Sequence, residues 1–127
     1  MMELLVAIAI VGILAAIGIA SYRTYILKSN RSDGMQSLLS IQLAEERYRM
    51  KNTTYGTLAQ VWSGTTASVG GYYTLSISGV SATGYTITAT AVASQSSDAE
   101  NGTSCTPLVL TYSNNTVTKT PAACWAN

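Results

Sequence analysis

A run of seventeen apolar residues, Leu4 to Ala20, follows a single acid, Glu3, and no further charge appears until Arg23. At ~1.5 Å rise per residue the run makes about 25 Å of helix, close to the ~30 Å of bilayer hydrocarbon. A chain that opens this way must place that surface in lipid or cover it with other helices. A carboxylate at its edge costs on the order of 2.5–3.5 kcal/mol at mid-membrane, less near the interface. Glu3 therefore either sits at the headgroup level of a plain anchor or meets a partner. No basic residue lies within nineteen positions of it, so a partner must come from outside the segment.

The flanks conflict with a simple anchor. Arg23, Lys28 and Arg31 follow the apolar run and nothing basic precedes it, which by the positive-inside tendency would leave the rest of the chain in the cytoplasm. That remainder has two cysteines, a body rich in Ser and Thr, and no histidine, which suits an exported domain better. A basic leader, removed during processing, resolves the conflict. Met1 is then not the initiator.

Residues 1 to about 51 read as one long helix, amphipathic after Tyr22. Met35, Leu39, Leu43 and Met50 form one apolar stripe at helical spacing, and Ile41, Ala44 and Tyr48 form another. Two stripes imply two contact surfaces, one for the chain's own sheet and one for neighbouring helices; a single broad core face is the alternative. Glu45, Glu46, Arg47, Arg49 and Lys51 read as solvated last turns, with the basic end where the helix dipole favours it. Asn52 to Gly71 is a long connection with Gly56, Gly64, Gly70 and Gly71, and Trp62 as its large anchor.

From Tyr72 the apolar period becomes two. Tyr73, Leu75 and Ile77 alternate with Thr and Ser, as do Tyr85, Ile87, Ala89 and Ala91, then Leu108, Leu110 and Tyr112, with a short strand around Val117. Gly79 to Gly84 makes the first turn, and Asn114-Asn115 suits a two-residue hairpin because Asn tolerates positive φ. The expected fold is α+β: a long N-terminal helix packed on a four-stranded antiparallel meander, with Ser94 to Ser104 as a polar loop. Cys105 and Cys124 can pair only with each other. If oxidised, they close a loop worth roughly 3 kcal/mol and tie the C-terminal tail to the third strand; two free thiols are the alternative.

Charge is sparse. Residues 21–51 carry a net +3 and residues 52–127 a net −1, while 26 of the latter 76 residues are Ser or Thr. Such a surface steers polyanions weakly and tolerates dense packing against copies of itself. The lack of histidine removes most nucleophile–base pairs and most transition-metal sites. The acids show no glycosidase-like or metal-like spacing, and no glycine-rich phosphate loop is present. Enzyme, metal and cofactor readings therefore find no support. Asp98 and Glu100 read as a solvated loop, with a calcium site as the weaker alternative. Three Asn-X-Thr matches, at Asn52, Asn101 and Asn114, are expected by chance in so Thr-rich a chain.

The stretch Met2-Glu3-Leu4-Leu5-Val6, with Ile10-Val11-Gly12-Ile13-Leu14-Ala15-Ala16-Ile17-Gly18-Ile19-Ala20-Ser21-Tyr22, resembles the N-terminal signature of type IV pilins. The resemblance covers about a fifth of the chain and is highly specific. It implies a structural subunit of an extracellular pilus, held first in the inner membrane by residues 1–22 and carrying residues 23–127 as its globular domain. It implies polymerisation into a helical filament of identical subunits, with a leader peptidase and a pilus assembly platform as partners. It also implies Phe-Thr ahead of Met1, an N-methylated start, and pairing of Glu3 with the terminal amine of an adjoining subunit. Ala20 stands where the family commonly has a proline, and the segment leading to that point is often unwound in assembled pili. Gly12 and Gly18 each cost ~1 kcal/mol in a helix relative to Ala. The expectation is a loosened segment between Gly12 and Ala20 in the filament, though without its strongest local cause.

Two other roles share the signature. A type II secretion pseudopilin in its major form generally carries a calcium site and lacks the disulfide. A DNA-uptake or adhesive pilin would act as a receptor. Arg23, Lys28 and Arg31 lie too near the membrane or filament core for DNA, leaving Arg47, Arg49, Lys51 and Lys119 as candidate contacts.

Overall fold

The computed structural model describes residues 1–63 and 65–126; Gly64, read above as part of the long connection, lies outside them. Helix α1 runs unbroken from Met2 to Arg49. A one-turn helix, α2 (Leu58–Val61), follows, then strands β1 (Tyr73–Ser78) and β2 (Gly84–Ala91) and a 3₁₀ turn at Ala93–Ser97. Two short strands, β3 (Ala99–Glu100) and β4 (Thr103–Ser104), precede β5 (Leu108–Ser113), β6 (Thr116–Thr120) and the terminal turn α3 (Ala122–Trp125). The main sheet has the order β1-β2-β5-β6, all antiparallel, and β3 pairs only with β4. The α+β architecture and the disulfide-tied C-terminus are therefore as the sequence predicts.

Alternation fixes which sheet face is buried. Tyr73 and Leu75 of β1, Tyr85, Ile87, Ala89 and Ala91 of β2, and Leu108 and Leu110 of β5 all turn inward. Their cross-strand partners hold the register: Leu75 faces Ala89, and Ile87 faces both Ile77 and Leu110. Leu38 and Ile41 of α1 close this core from the other side, each contributing about 1.5–3 kcal/mol by leaving water. Asn114 and Asn115 take φ of 46° and 65°, the left-handed geometry a tight β5–β6 turn needs. Gly84 is required by crowding, since a Cβ there would strike the Tyr112 carbonyl.

Two parts of the helix reading change. The inward stripe is Arg31, Gly34, Leu38, Ile41 and Glu45, whereas Leu39, Leu43 and Met50 are exposed, Leu43 by 53%. Gly34 is what lets α1 approach β1: a Cβ would lie 2.9 Å from the Tyr73 ring. Glu45, read as solvated, is fully buried, because its Oε2 accepts the Gly56 amide at 2.7 Å where the chain doubles back beneath the helix end. Burial pushes its carboxyl up, and the Gly56 amide only partly offsets this.

The loops carry more order than their composition suggests. Within the 52–71 connection, Thr57 and Gln60 form a capping box on α2, and Val61 and Trp62 pack on the core. Segment 66–68 then covers the outer edge of β1, with Leu75 N donating to Thr66 O and Ser68 N to Tyr73 O. Asp33 of α1 anchors it by accepting from the Ser68 hydroxyl and, at 2.8 Å, from Gly70 N.

Candidate functional site

Three features stand out as places where this chain could act. The first is the free half of α1. Every residue from Met1 to Ile26 is exposed, and an 18-residue window of this helix has a mean hydropathy of 2.8 with none of it buried against the rest of the chain. Glu3 lies in the first turn of α1 and is exposed. Gly12, Gly18 and Ala20 sit in regular helix, exposed, with open space around both glycines.

The second is a buried charge cluster where α1 meets the 93–104 segment. Arg31 is 1% exposed; its Nε and Nη2 donate to the two carboxylate oxygens of Asp98 at 2.7 and 2.8 Å. Its Nη1 donates to Glu100 at 2.9 Å and approaches the Cys124 carbonyl at 3.5 Å. Lys28, one turn earlier, reaches Glu100 at 3.5 Å. The Arg31 guanidinium holds the Glu100 carboxyl below the usual range, and Asp98 pushes the Arg31 pKa up. Asp98 and Glu100 are thus an internal counter-charge, and neither the solvated-loop nor the calcium reading describes them. Gln95, also buried, donates to Leu27 O at 2.8 Å and to the Tyr73 hydroxyl at 3.1 Å, fastening the same segment to helix and sheet. The Cys105–Cys124 bond adjoins this cluster, since the carbonyl that Arg31 Nη1 approaches is that of Cys124.

The third feature is at the opposite end of the domain, beside the C-terminus of α1. A groove of about 490 Å³ runs between Arg49, Tyr55, the Thr83 turn and the β5–β6 hairpin, and includes Tyr112, Asn114 and Asn115. Arg49 lies over the Tyr55 ring at 5.8 Å, and Tyr85 and Tyr112 stack at 5.4 Å. Of the four cations proposed for DNA, only Arg49 lines this groove. Arg47 and Lys51 are exposed on the last turns around it, while Lys119 sits on β6 over the Trp125 ring at 5.1 Å. None of the four forms an ion pair among the described residues. Arg31 is withheld from any ligand by its burial.

Residue spacing alone does not reveal the charge cluster. Its one sequence signal is that Asp98 and Glu100 are the sole acids after residue 51, close before Cys105, in a segment otherwise too polar to fold onto a core.

A family model described as type IV minor pilin ComP, DNA uptake sequence receptor, matches residues 20–109. The match begins where the apolar signature ends and spans the charge cluster, β1, β2 and the start of β5. No curated protein matches the chain.

Proposed function

Because the chain belongs to the type IV minor pilin family of ComP, the DNA uptake sequence receptor, we propose that it works as a subunit built into the pilus filament. Residues 1–22 serve as the membrane anchor and then as filament core, and residues 23–127 form the outward domain. The observation that carries this reading is the free half of α1: an apolar, wholly exposed helix headed by Glu3, which has no ion-pair partner among the described residues. Lipid answers the apolar surface before assembly, and the helices of other copies answer it afterwards. The terminal amine of an adjoining subunit supplies the charge that Glu3 lacks, and the helix between Gly12 and Ala20 loosens as it leaves the bilayer. Leader peptidase and the assembly platform act on the same segment. Glu3→Gln should insert in the membrane as the wild type does yet enter filaments poorly; a normal filament yield would overturn the reading.

A second reading, DNA capture, is favoured by the family description and by four cations that form no ion pair among the described residues. Arg47, Arg49, Lys51 and Lys119 would contact phosphates. Four such contacts give a slope of log affinity against log salt of about −3 to −4. Replacing Arg47 and Lys51 by alanine should then remove about two units of that slope, and a slope already near zero in the wild type would exclude the reading.

A further inference from the structure

A hollow of about 200 Å³ lies where the globular domain first meets α1, lined by Tyr22, Arg23, Ile26, Leu27, Asn30 and Ser94. We propose that it holds the phosphate of an anionic phospholipid headgroup through Arg23 while the chain is in the membrane. The proposal rests on residues 1–22 being the anchor. Depth is the first argument. The apolar run ends at Ala20, so at ~1.5 Å per residue Arg23 stands about 4.5 Å beyond it and Asn30 about 15 Å. The polar layer of one leaflet is roughly 5–7 Å thick, half the difference between the ~40–45 Å bilayer and its ~30 Å core. Arg23 is therefore at headgroup level, and the hollow extends from there towards the domain. Tyr22 and Tyr25, exposed by 65% and 69%, are amphipathic rings that favour the same layer. Ser94 reaches the hollow because the next residue, Gln95, donates to the Leu27 carbonyl at 2.8 Å and fastens the 3₁₀ turn low on the helix.

Charge is the second argument. Of the three basic residues that follow the apolar run, Lys28 is taken by Glu100 and Arg31 by Asp98 and Glu100, whereas Arg23 forms no ion pair among the described residues. No carboxylate lines the hollow, and the Asn30 amide and Ser94 hydroxyl add donors beside the guanidinium. A ligand must therefore bring acceptors and a negative charge, and a guanidinium fork matches phosphate oxygens in pairs. Ile26 and Leu27 supply an apolar wall for the glycerol end of the lipid. The hollow is smaller than the ~300–1,000 Å³ of sites that enclose a small molecule. It suits one group of a larger molecule whose remainder lies outside, as a lipid's chains lie in the bilayer beside residues 4–20.

The test uses the full chain in dodecyl maltoside micelles, followed by NMR at the Asn30 side-chain amide and the Ser94 backbone amide. It is titrated with dihexanoyl phosphatidylglycerol, with dihexanoyl phosphatidylcholine, and with inorganic phosphate. Phosphatidylglycerol should bind about fivefold more tightly than phosphatidylcholine, the factor that one basic residue at an anionic surface supplies. Salt at 1 M should shrink that preference, because screening then acts within ~3 Å. Arg23→Gln should abolish it, and Lys28→Gln, the same change of charge outside the hollow, should keep it. Equal affinity for the two lipids, or a preference that survives Arg23→Gln, overturns the proposal. An equal loss in Lys28→Gln overturns it too, leaving only a diffuse surface attraction. Inorganic phosphate binding as tightly as phosphatidylglycerol overturns the lipid assignment in favour of a free anion. Flotation with neutral phosphatidylcholine vesicles separates this failure from that of the anchor. A chain that floats but shows no preference overturns this proposal alone; one that does not float overturns both.

Discussion

Replacing Arg31 by methionine tests how the helix is held to the C-terminal half of the domain. The variant keeps much of the side-chain volume but leaves Asp98, 2% exposed, without the only side chain that donates to it among the described residues. Removing one partner of a buried pair costs about 3–5 kcal/mol, because the stranded charge remains out of water. Against a total stability of about 5–15 kcal/mol for domains of this kind, that is a large share. With a urea slope of about 2 kcal/mol/M, the midpoint should fall by roughly 2 M. Trp62 and Trp125 provide the fluorescence signal, and Trp125 directly follows the residue whose carbonyl faces Arg31. The double variant Arg31→Met/Asp98→Leu removes both charges and should recover most of the loss, since apolar replacements of buried pairs are often neutral or better. A single-variant loss under about 1 kcal/mol would place the pair with exposed salt bridges and refute the argument; so would a double variant as unstable as the single.

Replacing Cys105 and Cys124 together by serine should lower domain stability by about 2–5 kcal/mol and reduce filament yield, with membrane insertion intact; identical melting with and without reductant would show the bond to be dispensable. Gly34→Ala should cost about 1–3 kcal/mol, because the new methyl meets the Tyr73 ring at 2.9 Å; an unchanged urea midpoint would mean that the helix shifts freely. Glu45 gives a pH signature. Its carboxyl is raised in the fold, so its contribution is fully present below the ordinary glutamate value of about 4.3 and is lost as pH rises through the raised value. Glu100 is held low, so its contribution is lost only as pH falls below that ordinary value, and the window above about pH 5 belongs to Glu45. Glu45→Gln, which can still accept the Gly56 amide, should flatten the decline above about pH 5; equal slopes in wild type and variant would contradict it.

The backbone plan was legible because it rests on local signals. Leu4 to Ala20 needs no tertiary context to be read as an apolar helix, and Tyr85-Thr86-Ile87-Thr88-Ala89 states its inward face by alternation. The Asn114-Asn115 turn is likewise written in two residues that accept positive φ. The inward face of α1 was harder, because apolar residues there lie on more than one side and burial goes to Arg31 and Glu45 while Leu39 and Leu43 stay exposed. What decides it is distant: Arg31 is sheltered by Asp98, 67 positions away, and Glu45 by an amide of the returning chain. Polar contacts across such separations leave no periodic trace. The groove is illegible for the same reason, since Arg49, Thr83 and Asn115 become neighbours only when three turns converge.

The attachments between α1 and the rest of the domain follow one another along the rod: Leu27 to Gln95, Lys28 to Glu100, Arg31 to Asp98, Asp33 to Gly70, and Glu45 to Gly56. A pull on the free end of the helix therefore runs parallel to this row and loads its members together, in shear. Peeling would break them singly; sliding has to break them at once. A subunit gripped by its first turns can thus carry tension into its domain with far more resistance than any one of these contacts supplies.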